Sequence, residues 1–145
     1  ETVFKTGIDL LNDFKSLNLS SSLAPHAPYT ASKELINLIS NESFSLKKPT
    51  SIHNQESIAE NDFFNSKSGD FLKLYNALNT NIDFFEPTHI SSLQSILNSF
   101  NKNINTLLVH NTFTSIEDVI FAKKCHQHLF WCLCPNANLY IENTF

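Results

Sequence analysis

The chain contains no arginine: its ten basic side chains are all lysine, set against fourteen Asp and Glu for a net charge of −4. Surfaces that read phosphates or base edges lean on the planar Arg fork, which donates two hydrogen bonds at once. Without that fork, and without a basic patch, a nucleic-acid partner is not expected. No run of about 18 apolar residues is present, and the first residues carry no signal-peptide pattern. A membrane is therefore not an expected partner, and the cytoplasm is the default location. The three cysteines, Cys125, Cys132 and Cys134, are odd in number and make no disulfide framework; they read as reduced thiols. No internal repeat or low-complexity linker divides the chain.

What is present is an alternation of two kinds of segment. Phe4, Ile8, Leu11 and Phe14 recur at helical spacing between Val3 and Leu17, and Leu35, Ile36, Leu38 and Ile39 do so between Ser32 and Ile39. Helices are also expected from Ile58 to Leu78, broken around Ser66–Gly69, from Ser91 to Phe100, and from Thr114 to Cys125. Ser91 or Ser92 can cap the second of these and Thr114 or Ser115 the third, whose first turn holds Glu117 and Asp118. Between them lie short strand-like runs at Ser20–Pro25, Thr50–His53, Thr106–His110 and Leu129–Leu133. The Thr106–His110 run, Thr-Leu-Leu-Val-His, is of the kind that parallel sheets bury on both faces.

Strands alternating with helices are the rhythm of parallel βαβ units. Each expected strand ends in a polar segment: His26, His53-Asn54-Gln55-Glu56, His110-Asn111 and Pro135-Asn136. In a parallel barrel such ends share one face, where active sites are built. The chain is long enough for a single domain with a real core, but shorter than a complete barrel of about 250 residues.

The blocks Leu23-Ala24-Pro25-His26-Ala27-Pro28-Tyr29-Thr30, Ser51-Ile52-His53-Asn54-Gln55-Glu56, Val109-His110-Asn111-Thr112 and Cys134-Pro135-Asn136-Ala137-Asn138 resemble, in this order, the middle of the amidohydrolase superfamily. The branch is the one that looks like chlorohydrolases, cytosine deaminases and S-adenosylhomocysteine deaminases. The resemblance implies an α/β fold in which residues 1–145 form one partial (β/α)8 TIM-type barrel domain, about four parallel strands with intervening helices, corresponding to strands four to seven. It also implies roles. His53 matches the fifth-strand metal ligand, and Glu56 matches the proton carrier three residues later. His110 matches the sixth-strand His beside the metal and the reacting carbon. His26 matches the fourth-strand His that touches substrate, and Pro135, Asn136 and Asn138 match a polar loop that shapes the pocket. The first-strand His-x-His pair and the eighth-strand Asp of that family have no match, so the chain supplies one of the expected metal ligands. Gln55 stands where many relatives carry a small residue, which leaves substrate choice open.

The chemistry agrees with such a site. Catalytic zinc keeps an open position for water, and a carboxyl group delivers protons best when burial raises its pKa towards the working pH. In a straight strand, residues three apart lie on opposite faces, so His53 and Glu56 can serve one water only across a bend. Plainer readings exist for each residue. His53 and His110 could be hydrogen-bonded strand-end histidines, Glu56 a helix-start carboxylate, and His26 a conformational residue between prolines. Glu60, one turn further on, reads as structural. His126-Gln127-His128 belongs to the opposite face, and about 13 Å of extended chain between His128 and Cys132 excludes a shared zinc. His89 is a weak substrate-loop candidate.

The expectation is thus a metal-dependent hydrolase of a non-peptide carbon–nitrogen bond, deaminating an aminated heterocycle such as an aminopurine or aminopyrimidine. One divalent ion is expected, zinc, or else iron. The alternatives are a chlorohydrolase or cyclic amidase on the same fold, or a non-catalytic half-barrel or binding module. The segment alone is expected to be inactive. Its bare sheet edges call for a second copy or the remainder of its own barrel as partner, besides a small-molecule substrate.

Overall fold

The computed structural model describes residues 2–144. Helix α1 (Thr2–Ser16) buries only Leu11 fully. At Gly7 it runs so close to the following segment that an added Cβ would meet Leu23 at 3.3 Å. Helix α2 (Lys33–Leu46) is capped by Ser32, whose hydroxyl accepts the Leu35 N–H. It outruns the expected end at Ile39, because Ser40 and Ser43 are buried with Ile36 and Ile39 and no breaker appears before Pro49.

Three strands follow, β1 (Thr50–Asn54), β2 (Thr106–His110) and β3 (Leu129–Cys132), parallel and adjacent in chain order. The register sets Ile52 beside Leu108 and Leu108 beside Trp131. Helices α3 (Ile58–Ser66) and α4 (Asp70–Ala77), α5 (Ser92–Ile96) with a 3₁₀ turn at Leu97–Ser99, and α6 (Ile116–Cys125) occupy the connections. The break between α3 and α4 falls at Gly69, whose φ of 84° suits a residue without a Cβ. Ile52 and Leu108 pack with Ile36, Phe63, Leu93, Ile96, Leu97 and Ala122 to form the core. An aromatic cluster extends it: Phe63 stacks on Phe85 at 4.3 Å and Phe71 lies 4.2 Å from Tyr29. The long connection from Leu78 to Ser91 is irregular, with Phe84 exposed and Phe85 turned inward.

Two expectations need correction. The segment Ser20–Pro25 is not a strand of the sheet; it runs beside β1, where Leu23 O accepts the Thr50 hydroxyl and His26 O accepts the His53 N–H. Pro25 and Pro28 have no N–H to give a ladder. And Pro135, Asn136 and Asn138 lie on a helix, α7 (Pro135–Glu142), with Pro135 at its first turn.

Candidate active site

Three strand ends are joined by asparagines. Asn111 donates from Nδ2 to Leu108 O at 2.8 Å and to Cys132 O at 3.3 Å, and its Oδ1 accepts the Asn54 amide at 3.1 Å. Gln55, His110 and Asn111 are left-handed, with φ of 47°, 79° and 60°. Other left-handed residues among those described, such as Lys47, Lys67 and Asn143, end helices, whereas these three sit at the ends of two adjacent strands. By strand alternation His110 belongs with Thr106 and Leu108 on the helix-covered face. Its left-handed φ instead sends the ring towards His53, across the pleat.

The His26, His53 and His110 rings form a row, with centroids 5.1 Å and 5.0 Å apart. His110 Nε2 lies 2.9 Å from His53 Nδ1 and 3.3 Å from Glu56 Oε1. Ligand atoms of His53, Glu56 and His110 all fall within 4.8 Å of one another, and no other such metal-competent group occurs among the described residues. Two neutral imidazoles and a carboxylate are a donor set that zinc accepts. Burial and then the neighbouring His110 lower the His53 pKa, while Glu56 opposes them; the ring is thus kept neutral, as a metal ligand must be.

Hydrogen bonds settle the tautomers. Asn138 Nδ2 donates to His110 O at 3.3 Å, so its Oδ1, 3.0 Å away, must accept from His110 Nδ1. The neutral His110 ring is therefore unprotonated at Nε2, which accepts the His53 Nδ1–H at 2.9 Å and leaves His53 Nε2 as that ring's free ligand nitrogen. The Thr30 hydroxyl donates to Ala27 O, so it accepts from His26 Nδ1 at 2.9 Å and leaves His26 Nε2 open.

No family model matches the sequence. Over 138 residues, 93% of this chain, it is 28% identical to adenosine deaminase of Helicobacter pylori (strain ATCC 700392 / 26695) and covers 32% of that protein. The solved structure of Helicobacter pylori aminofutalosine deaminase superposes with a TM-score of 0.79 at 25% identity, over 95% of this chain and 34% of that one. Its complex with methylthio-coformycin gives 0.74 at 26% identity, over 95% and 33%. The chain is similar to these deaminases in sequence and fold. It spans about a third of the length of the deaminases it matches. A zinc-bound adenosine deaminase from Xanthomonas campestris, with a TM-score of 0.65 at 17% identity over 98% of this chain and 28% of that one, shares the fold.

Placed against this deaminase frame, His26, His53, Glu56 and His110 come together at one edge of the sheet. Asn138 joins them through His110, while Asn136 is exposed on α7. Gln55 faces away from the cluster. Fully buried, it donates to Asp118 at 2.9 Å and Asn61 at 3.2 Å, and accepts from Thr114 at 2.7 Å. It therefore bears on the bend between β1 and α3, not on the substrate wall. His89 bonds the Asn65 carbonyl, away from the row. His126 holds Asn101 O, and His128 lines a separate cleft of about 250 Å³ with Lys47, Lys48 and Asn103.

Two further residues stand beside the row, Tyr29 given no role by the sequence and Glu60 given only a structural one. Tyr29 lies edge-on to His26 at 6.2 Å; burial, then the nearby Glu60 and Glu56 carboxylates, push its phenol up to about 12 and keep it a donor. Glu60, read as structural, is completely buried, and burial pushes its carboxyl up to about 7 against the pull of its hydrogen-bond donors. The only signal for either was position: Tyr29 three residues after His26, and Glu60 one helical turn after Glu56.

Proposed function

We propose that the full-length protein is a metal-dependent deaminase of an aminated heterocycle, with these residues supplying the central part of its barrel. The observation that carries the reading is the meeting of His53, Glu56 and His110 within 4.8 Å at the ends of two adjacent strands. The 28% identity to adenosine deaminase and the likeness to aminofutalosine deaminase support it. The name adenosine deaminase makes adenosine the first substrate to try.

His53 would hold zinc, with His110 and Glu56 beside it. A divalent ion held there would supply activation of water near neutral pH. Glu56, whose Oε1 is 3.3 Å from His110 Nε2, would move a proton to the substrate nitrogen. His110, accepting from His53 at Nε2, holds that ring in place beside Glu56. His26, with Nε2 open, and Tyr29 line the approach for a planar ring.

The test is steady-state kinetics of the full-length protein on adenosine, other aminopurines and aminopyrimidines, with metal analysis beside it. Glu56→Gln should keep the metal and lose about 10²–10⁴-fold in kcat, with KM little changed. His53→Ala should empty most of the metal site. Turnover by Glu56→Gln within a few-fold of wild type would remove Glu56 from the proton path and leave it a helix-start carboxylate.

A further inference from the structure

Glu60 is a carboxyl group in a place that would be costly for an unpartnered one. Its side chain has no exposure, and its Oε1 accepts two hydrogen bonds: the Gln55 N–H at 2.9 Å and the Ser92 hydroxyl at 2.5 Å. Its Oε2 makes no hydrogen bond of good geometry, although the Glu56 N–H also pulls on the carboxyl. One acceptor oxygen thus grips two elements. The gripped amide is not an ordinary one. Gln55 is the left-handed residue, at φ 47°, on which the chain turns between His53 and Glu56. A non-glycine residue in that region is strained by about 1 kcal/mol or more, and a buried amide that keeps its acceptor helps offset it. The Gln55 side chain is separately tied to Asp118, Asn61 and Thr114, which leaves Glu60 as the acceptor for its backbone N–H. The second grip, on Ser92, ties the turn to the first residue of α5.

We propose that Glu60 is a positioning residue for the reaction. Its carboxyl holds the Gln55 amide, so fixing the turn that carries Glu56 back to His110, and locks that turn to α5 through Ser92. The inference rests on the reading of Glu56 as proton carrier and adds a residue that acts through it. A residue that merely filled the core would be replaceable by an apolar side chain of similar volume; a clamp requires the acceptor.

The experiment compares Glu60→Leu, Glu60→Asp and Glu60→Gln in the full-length protein. Glu60→Leu removes the acceptor, and Glu60→Asp withdraws it by one methylene. Both should lower kcat at least thirty-fold with KM moved less than threefold and metal content kept. Amide exchange in a peptide spanning residues 53–57 should quicken at least tenfold in both. Glu60→Gln keeps an acceptor oxygen and should recover kcat to within about fivefold of wild type, with the exchange protection. If Glu60→Leu fails to fold, Glu60→Asp and Glu60→Gln carry the comparison. The clamp is overturned if the acceptor-deficient variants turn over within threefold of wild type, if residues 53–57 keep their protection, or if Glu60→Gln is as impaired as Glu60→Asp. Should the wild-type protein deaminate none of the substrates while the exchange pattern appears as stated, the proposed reaction fails and the clamp stands.

Discussion

In solution a histidine ring can carry its proton on either nitrogen, and at the end of β2 that choice is made by Asn138. Its amide is held by the His110 carbonyl, so its oxygen is the atom that meets Nδ1. Partners of this kind, one step behind the reacting groups, typically contribute about 10–100-fold in activity or metal affinity. Asn138→Leu should therefore lower kcat by about that factor while the fold survives. Asn138→Asp keeps an acceptor at Nδ1 and adds charge, so the acid limb of the rate–pH profile should move upward. A profile that does not move, with Asn138→Leu as active as wild type, would return Asn138 to pocket lining. The histidines at strand ends were visible in the sequence because each closes an apolar run. The part Asn138 plays was not, because its contact with His110 spans 28 residues and passes through a helix that Pro135 announces.

At the scale of the element, α6 shows how one side chain can anchor several segments. Ser115 caps the helix and Asp118 completes the capping box. Asp118 also accepts from Gln55, Ser91 and Gln94. Burial works against its charge, yet the donors from Gln55, Ser91, Gln94 and Ser115 together hold its carboxyl below the usual range. Ser115→Ala removes one cap and should cost about 1 kcal/mol. Asp118→Ala strands four donors, three of them on other segments, and should cost at least about 3 kcal/mol. Urea unfolding of the full-length protein measures both, and equal losses would contradict the bracing role. The capping serine and the acidic first turn of α6 were legible from local composition. The bracing was not, since Gln55 and Asp118 are 63 residues apart. Ser20–Pro25 was misread for a related reason: a short run between polar stretches resembles a strand until its prolines are asked for ladder hydrogen bonds.

For the molecule as a whole, two kinds of buried group make stability depend on pH in opposite senses. Glu60 titrates at about 7 when folded, above the 4.5 of a free side chain. The unfolded chain therefore releases that proton first, and the stabilisation of the neutral form is lost as pH rises from about 4.5 through 7. The difference is on the order of 3 kcal/mol. His53 and His126 are lowered, chiefly by burial, so the unfolded chain takes up their protons first and stability falls as pH drops below the ordinary histidine range. In metal-free protein, Glu60→Gln should flatten the decline of Tm between pH 5 and 8; parallel curves for wild type and variant would count against the buried acid as its source. No helix among the described residues is long and apolar enough to cross a membrane. The parallel sheet and its order were readable in outline, because continuous apolar runs between helical periods leave few other arrangements. The irregular connection after α4 has a consequence for how the protein is handled. Phe84 is 82% exposed there, on a stretch without ladder or helix, while Phe85 stacks on Phe63 and Thr88 donates to the Phe64 carbonyl. A protease that cuts after aromatic residues should nick the chain first at Phe84. The two fragments should then co-elute under native conditions and separate only in denaturant, because Phe85 and Thr88, just after the cut, stay seated on Phe63 and Phe64 of the other fragment.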